Sequence, residues 1–227
     1  MIKNIVIILL LVFICGLFLK LNNKENFQTS KKIYVITPSL CRDKLIKTCN
    51  SIYKQKYKNW EHIILFDNVE NFKINKFLKN CPYKPRIVKG KWNNYGNGQR
   101  YDAWNLVKKN SIITYIDDDD FYIDENVFNK INDKFSYNPN ICVIFWQGMR
   151  FGNLFNNKPP QKNSTMSNQF AHLKFDNLKN PIRWEKCQKN NNKSGRDGDF
   201  INRLVQTYNY KYIDEPLVVV EKASKGE

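Results

Sequence analysis

Asp117, Asp118, Asp119 and Asp120 stand in a row directly after the apolar, β-branched run Ile112-Ile113-Thr114-Tyr115-Ile116. A run without alternation is the habit of a central strand covered on both faces. In an open α/β sheet, ligands sit beyond the carboxyl ends of the strands. Carboxylates gathered there repel one another until something positive arrives. A hard cation, Mg2+ or Mn2+, bridging their oxygens to a diphosphate is the economical partner. An acidic turn or a helix cap is the plainer alternative. Asp67, Asp197 and Asp199 fall at other strand or loop ends, and Arg100 at the start of a helical pattern. Such a set divides labour: the cluster would neutralise charge building on a leaving group, while a carboxylate distant in sequence takes a proton from an attacking hydroxyl. The two tasks need separate carboxylates, because one bound to a dication has lost its basicity.

Positioning these groups requires a sheet. Residues 32–37, 60–66, 86–88, 112–116 and 141–146 read as strands, with pieces at 210–213 and 217–220 around Glu215-Pro216. Helical spacing follows Asp43 through Leu45, Ile46, Cys49, Ile52 and Tyr53, and recurs at 71–80, 101–109, 126–137 and from Phe200 through Val205. Strand and helix alternate, which predicts an α/β fold with a mostly parallel, doubly wound, Rossmann-like sheet. Residues 91–99, with Gly96 and Gly98, read as a loop. The polar stretch 153–169 reads as a long mobile loop of the kind that covers a site.

Several stretches, in order, resemble family 2 glycosyltransferases with the GT-A fold. They are Ile-Thr-Pro-Ser in the first strand, Ile-Ile-Leu-Phe-Asp-Asn in the second, Asn-Tyr-Gly-Asn-Gly-Gln-Arg-Tyr-Asp-Ala-Trp-Asn, Tyr-Ile-Asp-Asp-Asp-Asp-Phe-Tyr, Arg-Asp-Gly-Asp-Phe-Ile-Asn-Arg-Leu and Asp-Glu-Pro-Leu-Val-Val-Val. The resemblance covers roughly residues 32–220. It implies transfer of a sugar, with inversion, from a nucleotide diphosphate donor such as a UDP-sugar to a hydroxyl of a glycan, protein or lipid. On this resemblance Thr37 and Pro38 line the nucleoside pocket, Asp67 contacts the base and Arg100 helps hold it. Asp117 and Asp119 match the D-x-D pair: Asp119 is the expected metal ligand for Mn2+ or Mg2+, and Asp117 a ribose contact or further ligand. Asp118 joins the donor-binding set, and Asp197 matches the catalytic base. Arg196 stands where many relatives have Glu, and no His follows the last strand, where many relatives place a metal ligand. The chain ends soon after that strand, which leaves no room for the multi-span region of processive synthases. Rival classes are a nucleotidyltransferase or phosphotransferase, and an inactive, tethered carbohydrate-binding module.

The 227 residues suit one domain at 32–227, behind a polar stalk at 22–31 and an apolar segment at 1–21. Residues 5–19 are almost unbroken apolar chain, short of the roughly 20 residues of a full span. They read as an uncleaved single-pass signal-anchor helix, with a cleaved signal as the alternative. Lysines after the run favour the cytoplasmic side by the positive-inside bias, without fixing which membrane. The formal charge of +16 is spread over the chain, which suits an anionic small substrate or a membrane surface rather than nucleic acid. Six cysteines lack zinc spacing and read as buried thiols. His62 and His172 read mainly as packed histidines, and Trp146, Trp184 and Phe151 as core aromatics or sugar-stacking surfaces.

Overall fold

The structure, a computed structural model, describes residues 30–92, 96–155, 158–160, 165–174, 182–185 and 197–221. Its strands are β1 (Ile33–Ser39), β2 (Trp60–Asp67), β3 (Arg86–Gly90), β4 (Ile112–Tyr115), β5 (Phe121–Tyr122), β6 (Val143–Arg150), β7 (Asn153–Phe155), β8 (Phe170–Leu173) and β9 (Tyr210–Val220). The helices are α1 (Leu45–Tyr53), α2 (Asn71–Asn80), α3 (Asn97–Ala103), α4 (Val127–Ser136) and α5 (Asp197–Thr207). One sheet runs β3-β2-β1-β4-β8-β6-β9-β5, with β7 paired to β6. The expectation of a mostly parallel sheet is corrected to a mixed one. β3, β2, β1 and β4 are parallel, but β8 enters antiparallel to both β4 and β6, and β5 lies antiparallel to β9. Hydrophobic period reports burial and not strand direction, so Phe170-Ala171-His172-Leu173 at the end of a polar stretch left no trace of its reversed course.

β1 is buried along its whole length because both faces are covered. Ile33 and Val35 join the core that packs α4 through Val127, Phe128, Ile131 and Phe135. Tyr34 and Ile36 join the opposite core, which packs α5 through Phe200, Ile201 and Leu204. Leu45 and Cys49 of α1 meet Ile74 and Phe77 of α2 over Ile64 and Phe66. Helices on both faces make the sheet doubly wound, as expected. The result is that β1, β2 and β4 end together at one edge.

β6 and β9 run parallel with register shifts on both sides of Gln147, where Gln147 opposes Pro216. Proline offers no N–H to a ladder, and the irregularity lets β9 continue as one strand past it. Trp146 pairs with Ile213 and Gly148 with Val218, so β9 takes the longer path over this stretch.

Lys31–Glu227 makes one compact unit. No helix among the described residues is long and apolar enough to cross a membrane. The expected anchor at 1–21 lies outside the described residues, as does the stalk up to residue 29.

Candidate active site

The acidic run does not act as a uniform cluster. The chain leaves β4 through Ile116, whose N–H donates to Ile36 O at 3.1 Å, and the carboxylates that follow turn to separate sets of partners, with Asp118 and Asp119 sharing Arg42. Asp117 takes Arg100 Nη2 on Oδ1 at 2.5 Å. Asp118 accepts from Ser39 Oγ at 2.8 Å, Leu40 N at 3.1 Å and Arg42 Nη1 at 2.9 Å, tying the end of β1 to the loop. Asp119 faces Arg42 Nη1 at 3.5 Å. Asp120 points inward, taking Asn168 Nδ2 on one oxygen and the Glu221 N–H on the other at 3.0 Å. Thr48 Oγ1 of α1 donates to the Asp120 carbonyl at 2.6 Å, so the loop is gripped from behind.

Arg100 joins the distant pieces. Its side chain is only 4% exposed, and besides Asp117 it reaches Ser167 Oγ at 3.1 Å and lies 3.9 Å from Asp197 Oδ1. The N–H of Ser167 donates to Asp197 Oδ2 at 3.2 Å. Asp197 opens α5 and keeps 37% of its side chain exposed. Arg100 sits on α3, which begins earlier than the helical pattern suggested. Gly96 precedes that helix at φ 87°, where a Cβ would meet Arg100 Nη1 at 2.8 Å and Pro38 Cβ at 3.1 Å. Only glycine fits that turn and that approach together.

Thr37, Pro38 and Asp67 occupy the same sheet edge. Thr37 is fully buried and hydrogen-bonded to His62 Nε2 at 2.8 Å, so its hydroxyl faces the core. Pro38 is buried against Gly96. Asp67, at the end of β2, takes the Trp92 N–H at 2.8 Å. His62 and His172 are core residues, held well below the usual histidine range by burial, at about 3 and about 4. Trp146 and Trp184 are buried, while Phe151 is exposed. Arg42, Ser167 and Asn168 were not singled out from sequence. Arg42 follows a strand end without any motif, and Ser167 and Asn168 are two more polar residues in the stretch read as a mobile loop.

Burial pushes the Asp117 carboxyl up to about 6 against the pull of Arg100, with Asp197, Asp119 and Asp118 adding repulsion, although 41% of the side chain still meets solvent. Burial likewise raises Asp119, with Asp118 adding and Arg42 opposing. Asp120 rises to about 8, chiefly by burial and then by Asp117 and Asp119. Among the described residues no three acidic, histidine or cysteine side chains form a closed metal cage. A cation carried with a diphosphate needs only one or two carboxylates plus phosphate oxygens and water. Asp117 and Asp119 suit that role, since the contacts above engage one oxygen of each.

No curated protein matches the chain. Among solved structures, Staphylococcus aureus TarS 1-349 in complex with UDP-GlcNAc is 16% identical at TM-score 0.67, covering 86% of this chain and 60% of that one. TarS 1-349 in a second structure is 11% identical at TM-score 0.65, covering 84% and 60%. The mannosyltransferase PcManGT from Pyrobaculum calidifontis, in complex with GDP-Man and Mn2+, is 12% identical at TM-score 0.61, covering 88% and 59%. The chain thus spans about 60% of the length of the TarS fragment. At these identities the likeness is one of fold, and that fold is GT-A-like. The model of Glycosyl transferase family 2 matches residues 34–194, from β1 past Asp117 and Arg100. With the match covering most of the sequence, the chain belongs to glycosyl transferase family 2.

Proposed function

We propose that the chain moves a sugar from a nucleotide diphosphate donor, a UDP-sugar in the first instance, to a hydroxyl of a glycan, protein or lipid, with inversion at the anomeric carbon. The observation that carries this reading is the convergence of Asp117 and Asp197 on Arg100 at the carboxyl edge of the sheet. One carboxylate lies on the strand-end loop where a diphosphate would sit. The other opens a helix across the site and remains open to an acceptor. Asp197 takes the proton of the acceptor hydroxyl as that oxygen attacks the anomeric carbon, and the bond from that carbon to the diphosphate oxygen breaks with its electron pair. Ser167 N–H and Arg100 fix the Asp197 carboxylate, so it meets the acceptor in one orientation. Asp67 and Pro38 would bound the nucleoside side from the ends of β2 and β1, with Thr37 behind them, its hydroxyl turned to His62 in the core rather than to a ligand. Asp119 and Asp117 would hold Mn2+ or Mg2+, which supplies neutralisation of diphosphate charge. The donors named for TarS and PcManGT support a nucleotide-sugar.

The test is incubation of the full chain with UDP- and GDP-sugars, Mn2+ and a panel of acceptors. Release of nucleoside diphosphate that stops in Asp197→Asn supports the reading, with the product anomer by NMR deciding inversion. Release of pyrophosphate, or none with any donor, overturns it. We further read the apolar residues 5–19 as a membrane anchor; co-flotation with lipid vesicles that is lost on deleting residues 1–29 is the expected result.

A further inference from the structure

The sheet edge that carries the acidic loop also carries a strained aromatic that transfer chemistry does not use. β6 runs antiparallel to β8, and β8 antiparallel to β4, so β6 points the same way as β4 and its carboxyl end reaches the edge that holds Asp117. There Arg150 pairs with Asn153 of β7 on one side and with Val220 of β9 on the other, one residue before the Glu221 N–H that binds Asp120. The turn between β6 and β7 is Phe151-Gly152, with φ of 53° and 78°. Positive φ at both central residues gives a two-residue turn the twist a hairpin needs, and Asn-Gly adopts it most readily. A bulky side chain in the first place is a backbone outlier, and such outliers gather at functional positions. Phe151 is 66% exposed, and Leu154, across the hairpin from Met149, is 60% exposed. A Cβ on Gly152 would meet nothing within 4 Å, so the turn stands clear of the surface rather than lining a cleft. The Arg150 guanidinium lies 5.4 Å from the Phe151 ring centroid, which places a cation at the base of the apolar tip. On the other side of the acidic loop, Leu40 is 54% exposed after the end of β1. Strand spacing across β4 and β8 puts it roughly 15 Å from the hairpin.

We propose that the tip of the β6–β7 hairpin docks on an anionic lipid surface, with Phe151 and Leu154 entering the interface and Arg150 meeting the headgroups. A protruding apolar pair beside a cation suits a deformable apolar layer under a charged one. A saccharide calls instead for polar groups that converge on it within a concavity. The formal charge of +16 makes an anionic surface the favoured one. This contact is separate from residues 5–19 and lies beside the site itself. Its consequence for the reaction rests on the transfer proposed above: the acceptor hydroxyl is borne on a lipid, because the edge that carries Asp117 meets the same surface.

The experiment follows backbone hydrogen exchange by mass spectrometry in the full chain, without donor, in detergent, in phosphatidylcholine vesicles and in vesicles that also contain phosphatidylglycerol. Exchange in residues 149–154 should slow about fivefold or more in the anionic vesicles relative to detergent, and less in the neutral ones. Phe151→Asn should abolish that protection, yet raise the thermal midpoint by about 2–4 °C because Asn accepts the positive φ. A merely structural Phe151 would lower the midpoint instead. Leu154→Ser, also at an exposed position, should weaken the protection. Equal exchange in detergent and anionic vesicles, or protection that survives Phe151→Asn, overturns the proposal. So does protection that grows with protein concentration in detergent, the mark of a second copy on the tip, or that soluble oligosaccharide reproduces. No turnover is read, so failure here leaves the transfer reading standing, and a chain that docks but releases no nucleoside diphosphate fails that reading alone.

Discussion

The guanidinium of Arg100 binds Asp117 at 2.5 Å with one nitrogen and stands 3.9 Å from Asp197 with the other. A planar fork can serve two carboxylates and a hydroxyl at once, whereas an ammonium is a point charge. Arg100→Lys should therefore uncouple the two acids, lowering kcat about 10²-fold or more with a smaller change in KM. Arg100→Ala adds a stability loss of about 1–3 kcal/mol, less than for a fully enclosed pair because Asp117 keeps solvent contact. Steady-state kinetics and chemical denaturation of both variants check this.

Asp197→Asn keeps the shape of the side chain and removes its basicity. Turnover should fall about 10³-fold, with nucleotide-sugar affinity by calorimetry unchanged. A parallel loss of affinity would place Asp197 on the donor instead.

Unfolded aspartates titrate near about pH 4, while in the fold burial, with Asp117 and Asp119 adding repulsion, pushes Asp120 up to about 8. Between those limits the folded chain keeps protons that the unfolded chain has released, so metal-free stability should fall as pH rises from about 5 to about 8. Asp120→Asn should flatten the upper part of that slope. Asn168 can rotate to accept from the new amide, since its Oδ1 is buried without a hydrogen bond. Thermal midpoints in chelator across the window are the measurement, and a midpoint that climbs with pH contradicts the assignment.

Mn2+ together with a nucleoside diphosphate should raise the thermal midpoint more than either alone, because a ligand that binds only the folded state adds stability. Asp119→Ala should remove that excess. Asp118→Ala should instead lower the midpoint without ligand, since it strips partners from Ser39, the Leu40 N–H and Arg42.

Trp184 stacks on Phe200 with centroids 4.4 Å apart and is buried beside Arg100. Trp184→Ala should destabilise by about 3–5 kcal/mol. That outcome separates a packing role from a sugar platform, which would lower activity and spare the denaturation midpoint.

Much of the scaffold was legible because buried parallel strands write themselves as uninterrupted apolar runs. β1, β2 and β4 were found that way, and with them the edge that carries Asp67 and Asp117. In the other half β6 and two pieces of β9 were legible too, but β5 and β7 are too short for any period and β8 hides behind a polar stretch. Among site residues, four aspartates in a row carry no sign of their partners in their spacing, whereas the fold gives Asp117 to Arg100, Asp118 and Asp119 to Arg42, and Asp120 to Asn168 and the Glu221 N–H. That sorting depends on Arg42, Asn168 and Glu221, which come from a loop after β1, a turn before β8 and the end of β9. No local pattern could join segments so far apart along the chain.

The uneven pairing of β6 with β9 sets where the polypeptide arrives at its far end. The longer path of β9 around Gln147 delivers the Glu221 amide to Asp120, so the span has a fixed arc length rather than slack. Losing one residue between Ile213 and Val218 would swap the inward and outward sides of everything after it. Such a deletion, well outside the site, would withdraw a donor from an acid beside the reaction.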